Sequence, residues 1–278
     1  MKISVIVPTY NRPQALKLCL MSLSLQSVLP DEVVIADDGS SEETARMVRF
    51  LSDSFGKTFH VKHVWHEDMG FRKPRILNEA VRQSSGDYLI FIDGDCMAHR
   101  DFIKAHQDNS RFDAILSGRR VEIGEALTKK ILDKGTVVNS LTDIRLILDG
   151  VRGRSRRIEE GVPLRSSWLR RLFHRDKITD DGVWGCNFSL HKDLFYEING
   201  CDEDFLDGSI EDNDLGIRVL NRGGKVVSLR GLAIIFHLWH KSTWGFSNDK
   251  YLHNLAILKR RIANRETACR NGIRRPGV

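Results

Sequence analysis

The stretch Leu89-Ile90-Phe91-Ile92-Asp93-Gly94-Asp95 sets an unbroken apolar run directly against two carboxylates. Such a run is covered on both faces only inside a parallel sheet, so it predicts a buried strand flanked by helices. Folding alone asks for nothing more than a turn at its carboxyl end, with the acids as caps. Yet that end is where open α/β sheets bind ligands. Two carboxylates around a glycine also suit a divalent cation, which selects oxygen ligands and bridges to phosphate. The run therefore points to a metal and a phosphorylated ligand at one strand tip.

Similar units precede it. Residues 3–7 form a short β-branched run ended by Pro8, and a helix is expected from about Pro13, with Leu16, Leu20 and Leu23 at helical spacing. Residues 32–36 read as a second buried strand, ending in Asp37-Asp38-Gly39-Ser40-Ser41. Ser41 is placed to cap a helix whose inner face carries Thr44, Val48 and Leu51. Residues 60–65 give a third strand. Gly70-Phe71-Arg72-Lys73-Pro74 then leads into a helix with Ile76, Leu77, Ala80 and Val81 inward. Strand–helix alternation of this kind implies right-handed crossovers and a doubly wound parallel sheet. Neither the Gly-x-Gly-x-x-Gly fingerprint nor a P-loop follows any strand, so phosphates must be held another way.

The pattern weakens over 120–182. Leu141, Ile144 and Leu148 give helical spacing, and 150–182 reads as a long mobile loop rich in arginine, of the kind that covers sites. Order returns at Gly185-Cys186-Asn187-Phe188-Ser189-Leu190. A helix is expected over 192–198, and another opens at Glu211-Asp212 with Leu215, Val219 and Leu220. Strands follow at 225–229 and 233–236, the last ending in His237-Leu238-Trp239-His240-Lys241.

With 41% hydrophobic and 29% charged residues, the composition is that of a globular protein. No apolar stretch approaches the roughly 20 residues that span a bilayer. The first residues lack the long apolar run and small-residue cleavage site of a signal peptide. The cysteines (Cys19, Cys96, Cys186, Cys201, Cys269) are odd in number and scattered, which reads as reduced thiols in a cytoplasmic protein. The net charge of +6 gathers in two clusters, Arg152 to Arg175 and Lys259 to Arg275. Such clusters suit phosphates, nucleic acid or an acidic membrane surface, or serve solubility alone.

Ser4-Val-Ile-Val-Pro-Thr-Tyr-Asn11, Asp37-Asp38-Gly39-Ser40, Asp93-Gly94-Asp95 and Glu211-Asp212 occur in the order and spacing of family 2 glycosyltransferases, which the chain resembles over roughly 1–118 and 182–241. The carboxyl-terminal part is similar to the galactosyltransferase-type module of bacterial chondroitin-synthase-like enzymes. The resemblance implies an α/β, Rossmann-like GT-A fold with a mostly parallel central sheet. It implies one catalytic domain over 1–245, with a nucleotide-binding half at 1–118, the basic loop at 150–182, a catalytic half at 183–245, and a basic helical tail at 246–278.

It further implies an inverting transferase that takes a hexose or N-acetylhexosamine from a UDP-sugar. The acceptor would be a cell-surface glycan or glycolipid, with peripheral contact at an acidic inner membrane face and no nucleic acid. The donor site would comprise Pro8, Thr9, Tyr10, Arg12, Asp38, Arg72, Arg75, Asn78, Asp93 and Gly94. Pro8, Tyr10 and Asp38 would hold the base and ribose, and one or two of Arg72, Lys73 and Arg75 would reach the diphosphate. Asp95 would bind Mn²⁺ or Mg²⁺ with a histidine, His237 or its rival His240. Trp184, Asn187 and Glu211 would meet the acceptor or sugar.

Asp212 would be the general base, since inversion in one displacement needs a carboxylate on the acceptor proton. Glu211 and Asp214 crowd it and would raise its pKa, whereas a helix start would lower it; the sequence leaves the direction open. Two departures stand out. Gly208-Ser209-Ile210 replaces the Trp-Gly of related modules, and the Gln-x-x-Arg-Trp motif of processive synthases is absent. The rival readings are a sugar nucleotidyltransferase, which would need a glycine-rich basic loop after the first strand, and a nucleic-acid binder, which would need interleaved aromatic and basic residues.

Overall fold

A computed structural model of the protein describes residues 1–140, 143–177, 182–208, 210–241 and 248–274. Leu141, Ser209, Arg275 and the expected boundary at 245 lie outside these residues.

Strands β1 (Ile3–Thr9), β2 (Glu32–Asp37) and β4 (Tyr88–Ile92) are buried at every position. With no polar face to give to solvent, they occupy the sheet interior. β1 pairs in parallel with β2 on one side and β4 on the other, and β3 (His60–Trp65) extends the sheet beyond β2. As the edge strand, β3 keeps only Val64 buried. The crossovers are α1 (Pro13–Ser24), α2 (Glu42–Phe55) and α3 (Lys73–Gln83). Proline sits in the first turn of α1 and α3, where its missing N–H costs nothing. Ser41 stands at the α2 cap position but makes no capping hydrogen bond.

The chain continues through β5 (Cys96–Ala98), α4 (Phe102–Asp108), β6 (Ala114–Ser117), β7 (Arg119–Glu122), α5 (Glu125–Lys134), α6 (Ile144–Val151), α7 (Ser167–Leu172), β8 (Asn187–His191), α8 (Lys192–Glu197), α9 (Glu211–Asn221), β9 (Lys225–Ser228), β10 (Ile234–His237) and α10 (Asn248–Ala263). Among the described residues the central sheet runs β3-β2-β1-β4-β8-β6-β9, and a second sheet runs β5-β10-β7. β8 is antiparallel to both β4 and β6, while the remaining pairs of the central sheet are parallel. The expected mostly parallel sheet is therefore present. The second sheet was not anticipated, and it positions the site. Its register sets His237 opposite Cys96, one residue beyond Asp95.

Two expectations are corrected. The segment expected as a long mobile loop has regular structure among its described residues: α7 and a 3₁₀ turn at Ile158–Gly161. Glu160 within that turn pairs with Arg175 and Arg230, each at 2.5 Å. Nor is 246–278 an appended tail. Ile257 and Leu258 of α10 pack on Phe205, Ile273 joins the main core, and Arg261 is fully buried.

Candidate functional site

The strand order reverses direction at β1, so the crevice beyond the carboxyl ends of β1 and β4 is the place where such sheets bind ligands. A cleft of about 530 Å³ opens there, within the range of ligand sites. Its lining includes Pro8, Thr9, Tyr10, Asn11, Arg12, Asp38, Phe71, Lys73, Asp93, Gly94, Asp95, Arg120, Glu211, His237 and His240.

The loops at its rim are locked by backbone chemistry. The Gly94 N–H donates to Pro8 O at 2.9 Å, and a Cβ on Gly94 would lie 2.8 Å from that oxygen. Only glycine lets the Asp93–Asp95 turn sit this close to the end of β1. Asn11 holds φ at 50°, a left-handed conformation that asparagine tolerates. Its side-chain oxygen accepts from Ser41 N–H at 2.9 Å, which ties the turns after β1 and β2 together. Asp37 faces inward, accepting from Ser40 N–H and bonding His63, whereas Asp38 faces the cleft. Asp38 bonds His66 at 2.7 Å and accepts from Arg72 N–H at 3.1 Å. Burial raises its carboxyl against those partners. Tyr10 donates from its hydroxyl to Asp68 at 2.9 Å, leaving its ring on the cleft wall.

Asp95, His237 and His240 offer one oxygen and two nitrogens, all within 4.8 Å of one another. The structure thus brings both rival histidines to the same carboxylate, His237 at 3.5 Å and His240 at 3.4 Å. Burial opposes ionisation of Asp95, but the charges of His237, Arg12 and His240 outweigh it and hold the carboxyl far below its ordinary range. The Arg12 guanidinium stands 2.6 Å from Asp95 Oδ2, a cation already occupying one side of this centre. A mixed N/O donor set with one face on a cleft fits a divalent transition metal such as Mn²⁺.

Lys73 lies 3.3 Å from Asp93 and 3.9 Å from Glu211. Burial would lower its pKa, yet Asp93, Asp212 and Glu211 raise it well above the usual value. Glu211 is pushed well above the usual carboxylate range, first by burial and then by the charge of Asp212. Among the described residues, its Oε2 is buried without a hydrogen-bond partner. Asp212 lines a small enclosed space beside the cleft, together with Lys73, Gly185 and Glu211. Its Oδ2 accepts from Gly185 N–H at 2.6 Å. A Cβ on Gly185 would lie 2.5 Å from the Asp212 carboxyl carbon, so glycine is required for this approach. Asp214 is fully buried against Arg218 and Arg261.

Other expected residues lie elsewhere. Asn78 is fully buried on α3, donating to Cys201 O at 2.8 Å and accepting from Cys201 N–H at 2.8 Å. It fastens the segment ahead of α9 and is not part of the cleft lining. Arg75 is exposed on the outer face of α3, away from the cleft lining. Arg72 acts through its backbone on Asp38, and its guanidinium turns to Glu67 O. Of these neighbouring cations Lys73 is the one in the cleft.

Asn187 is also withdrawn, into a fully buried polar knot. Its amide donates to Arg119 O and Ala233 O, each at 2.9 Å. Its Oδ1 must then accept from His106 Nε2, which leaves Nδ1 to accept from Ser189 at 2.7 Å. Burial pushes His106 down to about 3, in keeping with that neutral ring. Asn187 therefore joins β8 to β7 and to Ala233, the residue just before β10, rather than meeting an acceptor. Trp184 is half-buried behind the cleft, with the guanidinium groups of Arg157, Arg119 and Arg120 at 4.6, 4.8 and 5.4 Å from its ring. Arg120, which lines the cleft, had no signal in the sequence.

Residues 4–198 match the model of Glycosyl transferase family 2, and residues 174–241 match that of the N-terminal domain of galactosyltransferase. Validoxylamine A glucosyltransferase of Streptomyces hygroscopicus subsp. limoneus is 28% identical over 80% of this chain and 48% of its own length. Chondroitin synthase of Escherichia coli is 25% identical over 84% of this chain and 34% of its own. The chain thus spans half or less of these relatives. Among solved structures, the mannosyltransferase PcManGT of Pyrobaculum calidifontis, in complex with GDP-Man and Mn2+, superposes with a TM-score of 0.59 at 16% identity, over 96% of this chain and 69% of that one. S. aureus TarS 1-349 in complex with UDP-GlcNAc gives 0.60 at 19%, over 95% and 69%. These likenesses establish the GT-A fold.

Proposed function

We propose that this chain, which belongs to glycosyl transferase family 2, moves a hexose or N-acetylhexosamine from a UDP-sugar to a glycan or glycolipid hydroxyl, with inversion and with the help of a divalent cation. The observation that carries the reading is the convergence of Asp95, His237 and His240 on one wall of the cleft, with Asp93, Lys73 and Glu211 on another and Asp212 beside them. The names of the solved neighbours, which hold GDP-Man with Mn2+ or UDP-GlcNAc, support a nucleotide-sugar donor. The names of the relatives support a glycan product.

In this reading the Tyr10 ring and Pro8 flank the base, and Asp38 accepts a hydrogen bond from it. Asp93 meets the ribose. Asp95, His237 and His240 would hold Mn²⁺ or Mg²⁺, which neutralises the leaving diphosphate. Lys73 and Arg120, which line the same cleft, add fixed positive charge there. Asp212, oriented by Gly185 N–H, takes the acceptor hydroxyl proton as the acceptor oxygen bonds to the sugar carbon and the bond to the diphosphate breaks. Glu211, whose environment favours the protonated form, donates to a sugar hydroxyl rather than serving as base. Asp95→Asn should cut the Mn²⁺-dependent gain in UDP affinity by at least about 10–100-fold, the cost of disturbing even a residue behind the ligands. Calorimetry of UDP with and without Mn²⁺ tests this, and an undiminished gain would remove the metal assignment. Release of UDP from a panel of nucleotide sugars would identify the donor.

A further inference from the structure

A second cleft, of about 550 Å³, lies across β7 and the end of β10 from the first. Its lining includes Arg154, Arg156, Lys129, Glu122, Glu125 and Trp239. The segment that supplies the arginines is built, not loose. Ser155 is buried: its hydroxyl donates to Asp149 at 2.5 Å and accepts from Gly124 N–H at 2.9 Å. Arg156 exchanges two backbone hydrogen bonds with Glu122. With the middle residue of Arg154-Ser155-Arg156 turned inward, strand-like alternation turns both neighbours outward together. Both arginines are exposed and line the cleft.

The other charges there are already matched. Lys129 pairs with Glu125 at 2.7 Å, and the Glu122 carboxylate faces Arg120 at 3.5 Å and Arg157 at 4.0 Å. Among the described residues, neither Arg154 nor Arg156 has an ion-pair partner. Trp239 completes the wall with 39% of its surface exposed. Its backbone is clamped by Thr128 Oγ1 at 2.9 Å, and the preceding Leu238 N–H donates to Asp95 O at 2.9 Å. It stands between His237 and His240 in the chain and lines the second cleft.

We propose that this second cleft binds an anionic stretch of the acceptor glycan, with Arg154 and Arg156 on its carboxylates or phosphates and Trp239 against a sugar ring. Planar guanidinium groups match both anions in bidentate fashion. A rigid aromatic face offers large contact area to the apolar side of a sugar at small entropic cost. The wall shared with the Asp95 centre places an acceptor end near the first cleft. The inference rests on the transferase reading for its purpose, and its binding test is separate from that reading.

The test is calorimetry at fixed ionic strength with oligogalacturonate, oligo(glycerol phosphate) and neutral maltotetraose, on wild type and on Arg154→Gln/Arg156→Gln. Wild type should bind one or both acidic oligomers and not the neutral one. The double variant should bind them about tenfold or more weakly, the worth of one or more charge-assisted hydrogen bonds, with UDP affinity unchanged. The oligomer retained by wild type distinguishes carboxylate from phosphate. Equal acidic binding by the variant, or none by wild type, overturns the proposal. So does arginine-dependent binding to anionic lipid vesicles without binding to either soluble oligomer, which would assign the patch to a membrane. Loss of UDP binding by wild type would instead sink the donor reading and leave the oligomer result standing.

Discussion

The tips of β1, β2 and β4 and the region around α9 handle charge in opposite ways. At the tips, Asp38, Asp93 and Asp95 face a cleft and hold partners that remain partly in contact with solvent: His66, Lys73, Arg12 and His240. Such partners can give way to a nucleotide or a metal. Around α9 the charges are sealed. Asp214, Arg218 and Arg261 have no exposed side-chain surface, and Arg261 also pairs with buried Asp202. Arg218 donates to the Ile198 and Gly200 carbonyls as well. Charge in the first region is exchangeable, as the proposed binding role requires. Charge in the second is fixed and holds the helix that presents Asp212.

Asp212→Asn should break this division most visibly. Loss of a general base costs about 10²–10⁴-fold in kcat, while UDP affinity should stay within about twofold, since the proposed base would touch only the acceptor. Transfer that survives within about tenfold of wild type would move the role to Glu211. A collapse of UDP binding would place Asp212 on the donor side of the comparison instead.

Arg261→Leu tests the sealed region. It strands Asp202 and leaves Asp214 with Arg218 alone, and removing one partner of a buried pair costs about 3–5 kcal/mol. Urea unfolding should show that loss. Metal-dependent UDP binding, measured well inside the folded baseline, should persist. An unchanged midpoint would mean that the network is not what anchors α9.

Asn187→Leu and Asn78→Ala separate support from ligand contact. Each leaves buried polar groups unpaired, worth about 1–3 kcal/mol of stability. Neither should alter the KM for donor or acceptor in the folded enzyme. A raised KM with unchanged stability would return that asparagine to the site.

The smallest expected effect concerns pH. His106 is held at about 3 in the folded state by burial, against about 6.5 when unfolded. The unfolded chain therefore binds the extra proton over that window, so stability falls as pH drops below about 6.5, by up to about 1.4 kcal/mol per unit. His106→Gln should flatten this slope in thermal melts between pH 7 and 5. The same slope in the variant would assign the acid sensitivity to other groups.

What could be read from the sequence follows the same division. The first strands announced themselves because β-branched runs, buried on both faces, carry acids straight into a turn, as in Ile35-Ala36-Asp37-Asp38 and Phe91-Ile92-Asp93. β10 was legible as an apolar run, but β5 and β7 are three and four residues long, too short for any period to register, so the sheet that delivers His237 to Asp95 was invisible. Arg261 read as part of a solvated basic cluster because its partners Asp202 and Asp214 lie 59 and 47 residues away. Asn78 and Asn187 were misplaced for a related reason. An asparagine that bonds a ligand and one that bonds buried backbone are the same letter, and only the long-range partner separates them.

Arg157 carries a final consequence. Its φ of 55° reverses the direction in which the segment presents its side chains. Arg154 and Arg156 line one cleft, and Arg157 lies over Trp184, behind the other. The message of this stretch is therefore in its phase rather than its composition. Exchanging one arginine for another residue erases one contact. Deleting a single residue between Ser155 and Arg157 would shift the reading frame of faces and turn each guanidinium toward the wrong cleft. Over evolution this segment should accept substitutions while refusing changes in length, unlike the surface loops around it.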